Sequence, residues 1–143
     1  MTNLVYFSNG DTGYTRAFIK RLELPALEIP SLIKDAKEFL VSDPYVIVVP
    51  TYKLGGTHGK SDTTLPRQVA SFLNIPENRN LMRGVIGTGN RNFYEDFAVS
   101  ADTISRKTGV PILHRVELSG SDRDVEETRE RLDKFWQVLK LAT

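Results

Sequence analysis

Short runs of β-branched and aromatic residues alternate along this chain with stretches of helical period, the order expected of a parallel sheet covered on both faces. Five strands are predicted, at about Leu4–Phe7, Ala26–Ile29, Tyr45–Val49, Arg83–Ile86 and Ile112–Glu117. The third contains Val46-Ile47-Val48-Val49, an unbroken apolar run of the kind a central strand needs. Between the strands, Tyr14–Leu22 reads as a helix with Phe18, Ile19 and Leu22 inward, and Pro66–Leu73 opens with proline at a first helical position. A longer helix is predicted over Phe93–Lys107, with Phe97, Ala101 and Ile104 on one side and a stop at Gly109 and Pro111. The last helix, from about Asp122, sets Val125, Arg129, Leu132, Trp136 and Leu139 at steps of three or four. Ser121 and Asp124 are spaced as a capping box at its start, and Trp136 reads as core. Pro30–Asp43 suits either a short helix or a packed loop.

A chain of 143 residues is long enough for one proper core, so a single domain over 1–143 is expected. It has no apolar run of membrane-spanning length. Met1-Thr2-Asn3 leads straight into Leu4-Val5-Tyr6-Phe7 without the features of a signal peptide, so a soluble cytoplasmic protein is expected. The chain has no cysteine, which removes disulfides, thiolate nucleophiles and sulfur-ligated zinc together. With 19 basic and 18 acidic residues, net +1, it has no global basic field for nucleic acid.

In an open parallel α/β sheet the ligand crevice lies outside the carboxyl ends of the strands, where the strand order reverses. Three loops there carry the chemistry: Ser8-Asn9-Gly10-Asp11-Thr12-Gly13-Tyr14-Thr15, Thr51-Tyr52-Lys53-Leu54-Gly55-Gly56-Thr57 and Gly87-Thr88-Gly89-Asn90-Arg91-Asn92-Phe93. The first opens a helix, so its backbone N–H groups and the hydroxyls of Ser8, Thr12 and Thr15 can serve a phosphate. The same residues also make an ordinary turn with N-cap hydroxyls. The spacings of a triphosphate loop and of a dinucleotide fingerprint are both missing, which favours a monophosphate. The other two loops offer glycines for close approach and Tyr52, Phe93 and Tyr94 for stacking on a flat ring. His58 is read as a loop residue. His114 has no second histidine or carboxylate at ligand spacing in the sequence, so no metal site is expected. A phosphoacceptor receiver domain would need acidic residues where Ser8-Asn9 and Pro50-Thr51 stand.

The Ser8–Thr15 loop resembles that of flavodoxins, whose Ser/Thr-x-Thr-Gly-x-Thr pattern holds the phosphate of flavin mononucleotide (FMN); Gly10 replaces the leading hydroxyl. Arg83-Gly84-Val85-Ile86-Gly87-Thr88-Gly89-Asn90-Arg91-Asn92-Phe93, with Gly109-Val110-Pro111 and Glu117-Leu118-Ser119-Gly120, is similar to the NrdI family, flavodoxin-like activators of class Ib ribonucleotide reductase. Leu4-Val5-Tyr6-Phe7-Ser8, Val49-Pro50-Thr51-Tyr52 and Pro66-Arg67-Gln68-Val69 extend the likeness over nearly the whole chain.

This resemblance implies a flavodoxin-like three-layer α/β sandwich with a five-stranded parallel sheet in order 2-1-3-4-5 and helices on both faces. It implies FMN as cofactor, with Ser8, Asn9, Gly10, Thr12, Gly13, Tyr14 and Thr15 around the phosphate. Thr51, Tyr52, Gly55 and Gly56, with Gly89, Asn90, Asn92 and Phe93, would border the isoalloxazine, and Thr88 is counted as cofactor-binding beside them. The partners implied are the radical-generating small subunit of the reductase and a flavin-reducing electron donor. The reduced flavin would react with oxygen to supply that subunit with an oxidant, superoxide or peroxide, making the chain a maturation factor rather than a turnover enzyme. Lys53, His58 and Lys60 are additions to the family's second loop, and by sequence proximity Lys53 and Lys60 would place positive charge near the flavin N1 region. The rival reading is a general flavodoxin electron carrier, but the balanced charge lacks the acidic face such carriers present. No apolar helix face is left over once the sheet is covered, so a monomer is expected.

Overall fold

A computed structural model describes residues 3–8, 13–51, 65–89 and 98–142. Five strands, β1 (Leu4–Tyr6), β2 (Ala26–Glu28), β3 (Tyr45–Pro50), β4 (Met82–Gly89) and β5 (Ile112–Glu117), form one sheet in the order β2-β1-β3-β4-β5. Every neighbouring pair is parallel. The helices are α1 (Tyr14–Leu22), α2 (Ile33–Ala36), α3 (Arg67–Leu73), α4 (Pro76–Leu81), α5 (Val99–Thr108) and α6 (Asp122–Ala142). This is the flavodoxin-like α/β order expected from the sequence.

The layers follow from the strand period of two. All six residues of β3 are buried. Tyr45, Ile47 and Val49 enter the cluster that holds Ala36 of α2, Val69 and Phe72 of α3, and Ala101 and Ile104 of α5. Val46 and Val48 enter the opposite cluster, with Phe18, Ile19 and Leu22 of α1 and Leu132 of α6. Trp136, expected in the core, packs half-buried against this second cluster. It lies near the end of α6, where the helix runs past the apolar surface.

Two elements differ from the sequence expectation, and the structure decides a third that the sequence left open. The strand predicted over Arg83–Ile86 runs on to Gly89, because β3 and β5 both offer ladder partners: Pro50 pairs with Thr88, and Glu117 with Gly89. Gly87, Thr88 and Gly89 are therefore strand rather than loop. Pro30–Asp43 contains a single short helix, α2, followed by packed irregular chain. Helix α4 has no apolar stripe to announce it. It starts with Pro76 in its first turn, and its buried residue is the polar Asn78. The Asn78 amide donates to the carbonyls of Phe39 (2.7 Å) and Phe72 (3.2 Å) and accepts from the Val41 N–H (3.0 Å), tying irregular chain to α3. Of the helix predicted over Phe93–Lys107, residues 93–97 lie outside the described part, and the remainder is α5. Ser121 and Asp124 close the expected capping box: each backbone N–H donates to the other's side chain, at 2.9 and 3.1 Å.

Gly87 fixes how close α5 comes to the sheet. A Cβ there would lie 2.8 Å from Ala101 Cβ and 3.1 Å from Ala98 Cβ, so the helix rests on bare backbone. Gly87→Ala is expected to destabilise the fold by about 1–3 kcal/mol through overpacking, read as a lower urea midpoint with an unchanged slope. An unchanged midpoint would mean that α5 shifts freely.

Candidate functional site

The strand order reverses between β1 and β3, since β2 lies on one side of β1 and the rest of the sheet on the other. The carboxyl ends there are Phe7-Ser8 after β1, Thr51 after β3 and Thr88-Gly89 at the end of β4. Helix α1 begins beside them. Gly13, its N-cap, has φ +64° and makes no side-chain cap, and the first turn of α1 contains no acidic residue. A left-handed φ of this kind favours glycine.

Ser8 is buried, and its Oγ accepts the Arg16 N–H at 3.1 Å. Serine thus satisfies one donor of the helix end and keeps its own proton for another acceptor. Thr15 and Thr88, both buried, have their hydroxyl oxygens 2.9 Å apart. The Thr51 N–H donates to the Thr88 carbonyl at 3.1 Å. Thr51 Oγ1 accepts the Ser100 N–H at 3.0 Å, which ties the start of α5 to the end of β3. The Gly89 carbonyl accepts the Leu118 N–H at 2.8 Å, so the chain leaving β5 pins the end of β4. Tyr14 is exposed.

The structure therefore brings Ser8, Gly13, Tyr14, Thr15, Thr51, Thr88 and Gly89 of the expected set to one edge. Asn9, Gly10, Thr12, Tyr52, Gly55, Gly56, Asn90, Asn92 and Phe93 lie outside the described residues, as do Tyr94, Lys53, His58 and Lys60. The described donors are hydroxyls and backbone N–H groups at the positive end of a helix. That set suits a phosphate dianion without any cation in contact with it.

One cation does stand in the first turn of α1, and sequence reasoning missed what holds it. The Arg16 guanidinium forks onto both oxygens of the Glu28 carboxylate, and the Tyr6 hydroxyl donates to the same carboxylate at 3.0 Å. Glu28 belongs to the edge strand β2, so the guanidinium is drawn toward that edge rather than toward the β1–β3 boundary. The Arg16 hydrogen bond holds the Glu28 carboxyl below its ordinary value, with the Tyr6 hydroxyl adding to it against the effect of burial. Burial, then the hydrogen bond to Glu28, raises the Tyr6 phenol. No local pattern announces the triad, because Glu28 is 12 residues from Arg16.

His114 has carboxylate neighbours in space that its sequence surroundings did not suggest. Helix α6 brings Asp124 Oδ1 to 3.3 Å and Glu127 Oε2 to 3.8 Å from its Nε2. Arg131 Nη1, which can only donate, lies 2.8 Å from His114 Nδ1. Nδ1 is then the acceptor and Nε2 bears the proton, which it gives to Asp124. An imidazole in this tautomer turns a proton rather than a lone pair toward the carboxylates. The group is a hydrogen-bond network bonding α6 to β5.

The Arg16–Glu28 pair has a pH signature. A carboxylate lowered by its partner contributes stability above its unfolded value, here 4.5. That contribution is lost as pH falls through the lower folded value. The urea midpoint of the native protein is expected to drop more steeply below about pH 4.5 than that of Glu28→Gln, with the two curves parallel near neutrality. Identical acid limbs would show that the pair adds nothing to the fold.

Residues 4–130 match the family model described as NrdI flavodoxin-like. The Protein NrdI of Shigella dysenteriae serotype 1 is 47% identical over 137 residues, 96% of each chain. That of Enterobacter sp. (strain 638) is 48% identical over the same length and shares. Among solved structures, oxidised Flavodoxin 2 from Bacillus cereus superposes with a TM-score of 0.62 at 18% identity, over 96% of this chain and 99% of that one. A two-electron reduced Megasphaera elsdenii flavodoxin gives 0.55 at 17% identity, over 94% and 99%. At such identities these two structures speak for the fold alone, and it is the sequence match over nearly its whole length that shows the chain to belong to the NrdI flavodoxin-like family.

Proposed function

We propose that residues 1–143 form one FMN-binding unit that acts in the cytoplasm, as a monomer, on the radical-generating small subunit of a class Ib ribonucleotide reductase. FMN, the cofactor that family membership implies, supplies the redox chemistry when bound, passing electrons from a donor protein to oxygen so that superoxide or peroxide reaches the partner. The observation that carries the reading is the amino end of α1, where among the described residues only the Arg16 N–H meets a side-chain acceptor. It lies beside Ser8 at the β1–β3 boundary, with no acidic residue in its first turn.

The chain's own residues do three things in this reading. Gly13, Tyr14 and Thr15 present backbone N–H groups, and Ser8 a hydroxyl proton, to the phosphate. Thr51, through the Ser100 N–H, and Leu118, through the Gly89 carbonyl, hold the ends of β3 and β4 in place. Tyr52, Gly55, Gly56, Asn90, Asn92 and Phe93 are assigned to the ring by their place in the sequence. Among the described residues no helix is long and apolar enough to cross a membrane, which accords with a protein that meets its partner in solution.

The test has two parts. The purified chain, supplied with FMN, is expected to bind it in equimolar amount; absence of binding removes the cofactor and the function together. The loaded protein, reduced anaerobically and mixed with the metal-loaded small subunit and oxygen, is expected to raise that subunit's radical yield, read by electron paramagnetic resonance. It should also retain that subunit in a pull-down. Weak, salt-sensitive binding to many redox proteins with no gain in radical would instead mark a general flavodoxin.

A further inference from the structure

Thr15 and Thr88 lie 73 residues apart in sequence and belong to the two ends of the proposed site, the helix facing the phosphate and the strand leading to the ring. Their hydroxyl oxygens are 2.9 Å apart, and Thr88 Oγ1 is also 3.4 Å from the Val49 carbonyl oxygen. Both residues are at most 3% exposed, so the partners of these hydroxyls have to be found within the protein. Each hydroxyl has one proton to give. A carbonyl only accepts, so among the described residues one arrangement gives the Thr88 proton to Val49 and the Thr15 proton to Thr88.

The two links in this relay are unequal. A contact of 2.9 Å is a firm hydrogen bond, whereas 3.4 Å is beyond the usual range for a hydroxyl donor. The relay can therefore reverse at small cost when an acceptor reaches Thr15 from the helix end. Thr15 then gives its proton to that acceptor, Thr88 turns its own proton onto Thr15, and the Val49 carbonyl loses only the long contact. A donor chain of this kind strengthens its outer hydrogen bond, because each hydroxyl polarises the next.

We propose that Thr88 is a positioning residue for phosphate recognition. From β4 it donates to Thr15, fixes the rotamer of that side chain and sharpens Thr15 as a donor toward a phosphate at the amino end of α1. The sequence marks Thr88 only as cofactor-binding, and this role has it act through Thr15 rather than on the flavin itself. It rests on the FMN reading above, and riboflavin, which has the same ring without the phosphate, separates the two.

The affinities of the apoprotein for FMN and for riboflavin are measured by quenching of flavin fluorescence, in native protein and in Thr88→Val, Thr88→Ser and Thr88→Cys. Thr88→Val is expected to lower the ratio of FMN to riboflavin affinity about tenfold, the effect of one hydrogen bond. Thr88→Ser is expected to restore it to within about threefold, and Thr88→Cys, a weak donor, to fall between them. The order Ser, Cys, native decides the matter even where the valine variant does not fold. Equal losses for both flavins, or a ratio that ignores the donor at position 88, would overturn the proposal while leaving FMN binding intact. Native protein that binds neither flavin, or does not prefer FMN, would overturn the reading beneath it as well.

Discussion

Complete burial of β3 is the constraint from which the rest of the molecule follows. Six consecutive residues, Tyr45 to Pro50, are shut away from water, so apolar side chains leave both faces of the sheet at its centre and both must be covered. Parallel pairing with β1 and β4 satisfies the backbone. It also obliges each connection to cross back over a face, which is where the covering helices come from. One crossover carries the chain from β1 outward to β2, and the next returns it to β3 on the other side of β1. The site's position is thus a by-product of how the core is closed. Loops that share no local sequence are delivered to one edge because the strands they follow all point the same way.

At that edge the protein holds its parts together with hydroxyls and backbone groups, and among the described residues the cation in the first turn of α1 is paired. Ser8 bonds α1, Thr51 bonds α5, Thr88 bonds α1, and the Gly89 carbonyl bonds the turn after β5. Arg16, the cation in the first turn of α1, is paired with Glu28 on the edge strand. Neutral donors at a helix end bind a phosphate with little dependence on reach or rotamer, since the backbone is already in place. A free guanidinium would bring a stronger but more mobile attraction. The pairing with Glu28 removes that competitor and bonds β2, which has only one neighbour in the sheet, to α1.

What could be read in the sequence is what local pattern dictates. The apolar run of β3, the stripe of α1 and the Ser121–Asp124 box each fix an element by themselves, and all three stand where the pattern placed them. What could not be read depends on partners far along the chain. Strand β4 runs to Gly89 because β3 and β5 are both there to pair with it, and Gly-Thr-Gly has no strand signature of its own. Helix α4 is organised around a buried amide, so apolar period is blind to it. His114 found carboxylates on α6, ten or more residues away. At the site, the hydroxyl-rich loop was legible because helix starts have a local chemistry. The Arg16–Glu28 pair and the Thr15–Thr88 contact were not, because each joins two elements that only the fold brings together.

The backbone at the same edge is held in conformations that side chains resist. Among the described residues, three that are not glycine have positive φ: Glu23, Ala98 and Leu118. Two of these border the carboxyl edge, Ala98 at the N-cap of α5 and Leu118 just past β5. Each left-handed residue with a Cβ costs about 1–2 kcal/mol. Glycine would relieve that cost, so the neighbouring contacts have to outweigh it. At Leu118 the positive φ aims the N–H at the Gly89 carbonyl, 2.8 Å away. At Ala98 the side chain that glycine would lack is buried against the bare backbone of Gly87. The small side chain therefore sits on the helix and the missing one on the strand, an arrangement that lets α5 start low on the sheet with its Ser100 N–H within reach of Thr51. Exchanging the two would relax the turn at Ala98 and lift the helix from the strand. The strain at this edge is thus the local cost of bringing the ends of β3, β4 and α5 close enough together to form one site.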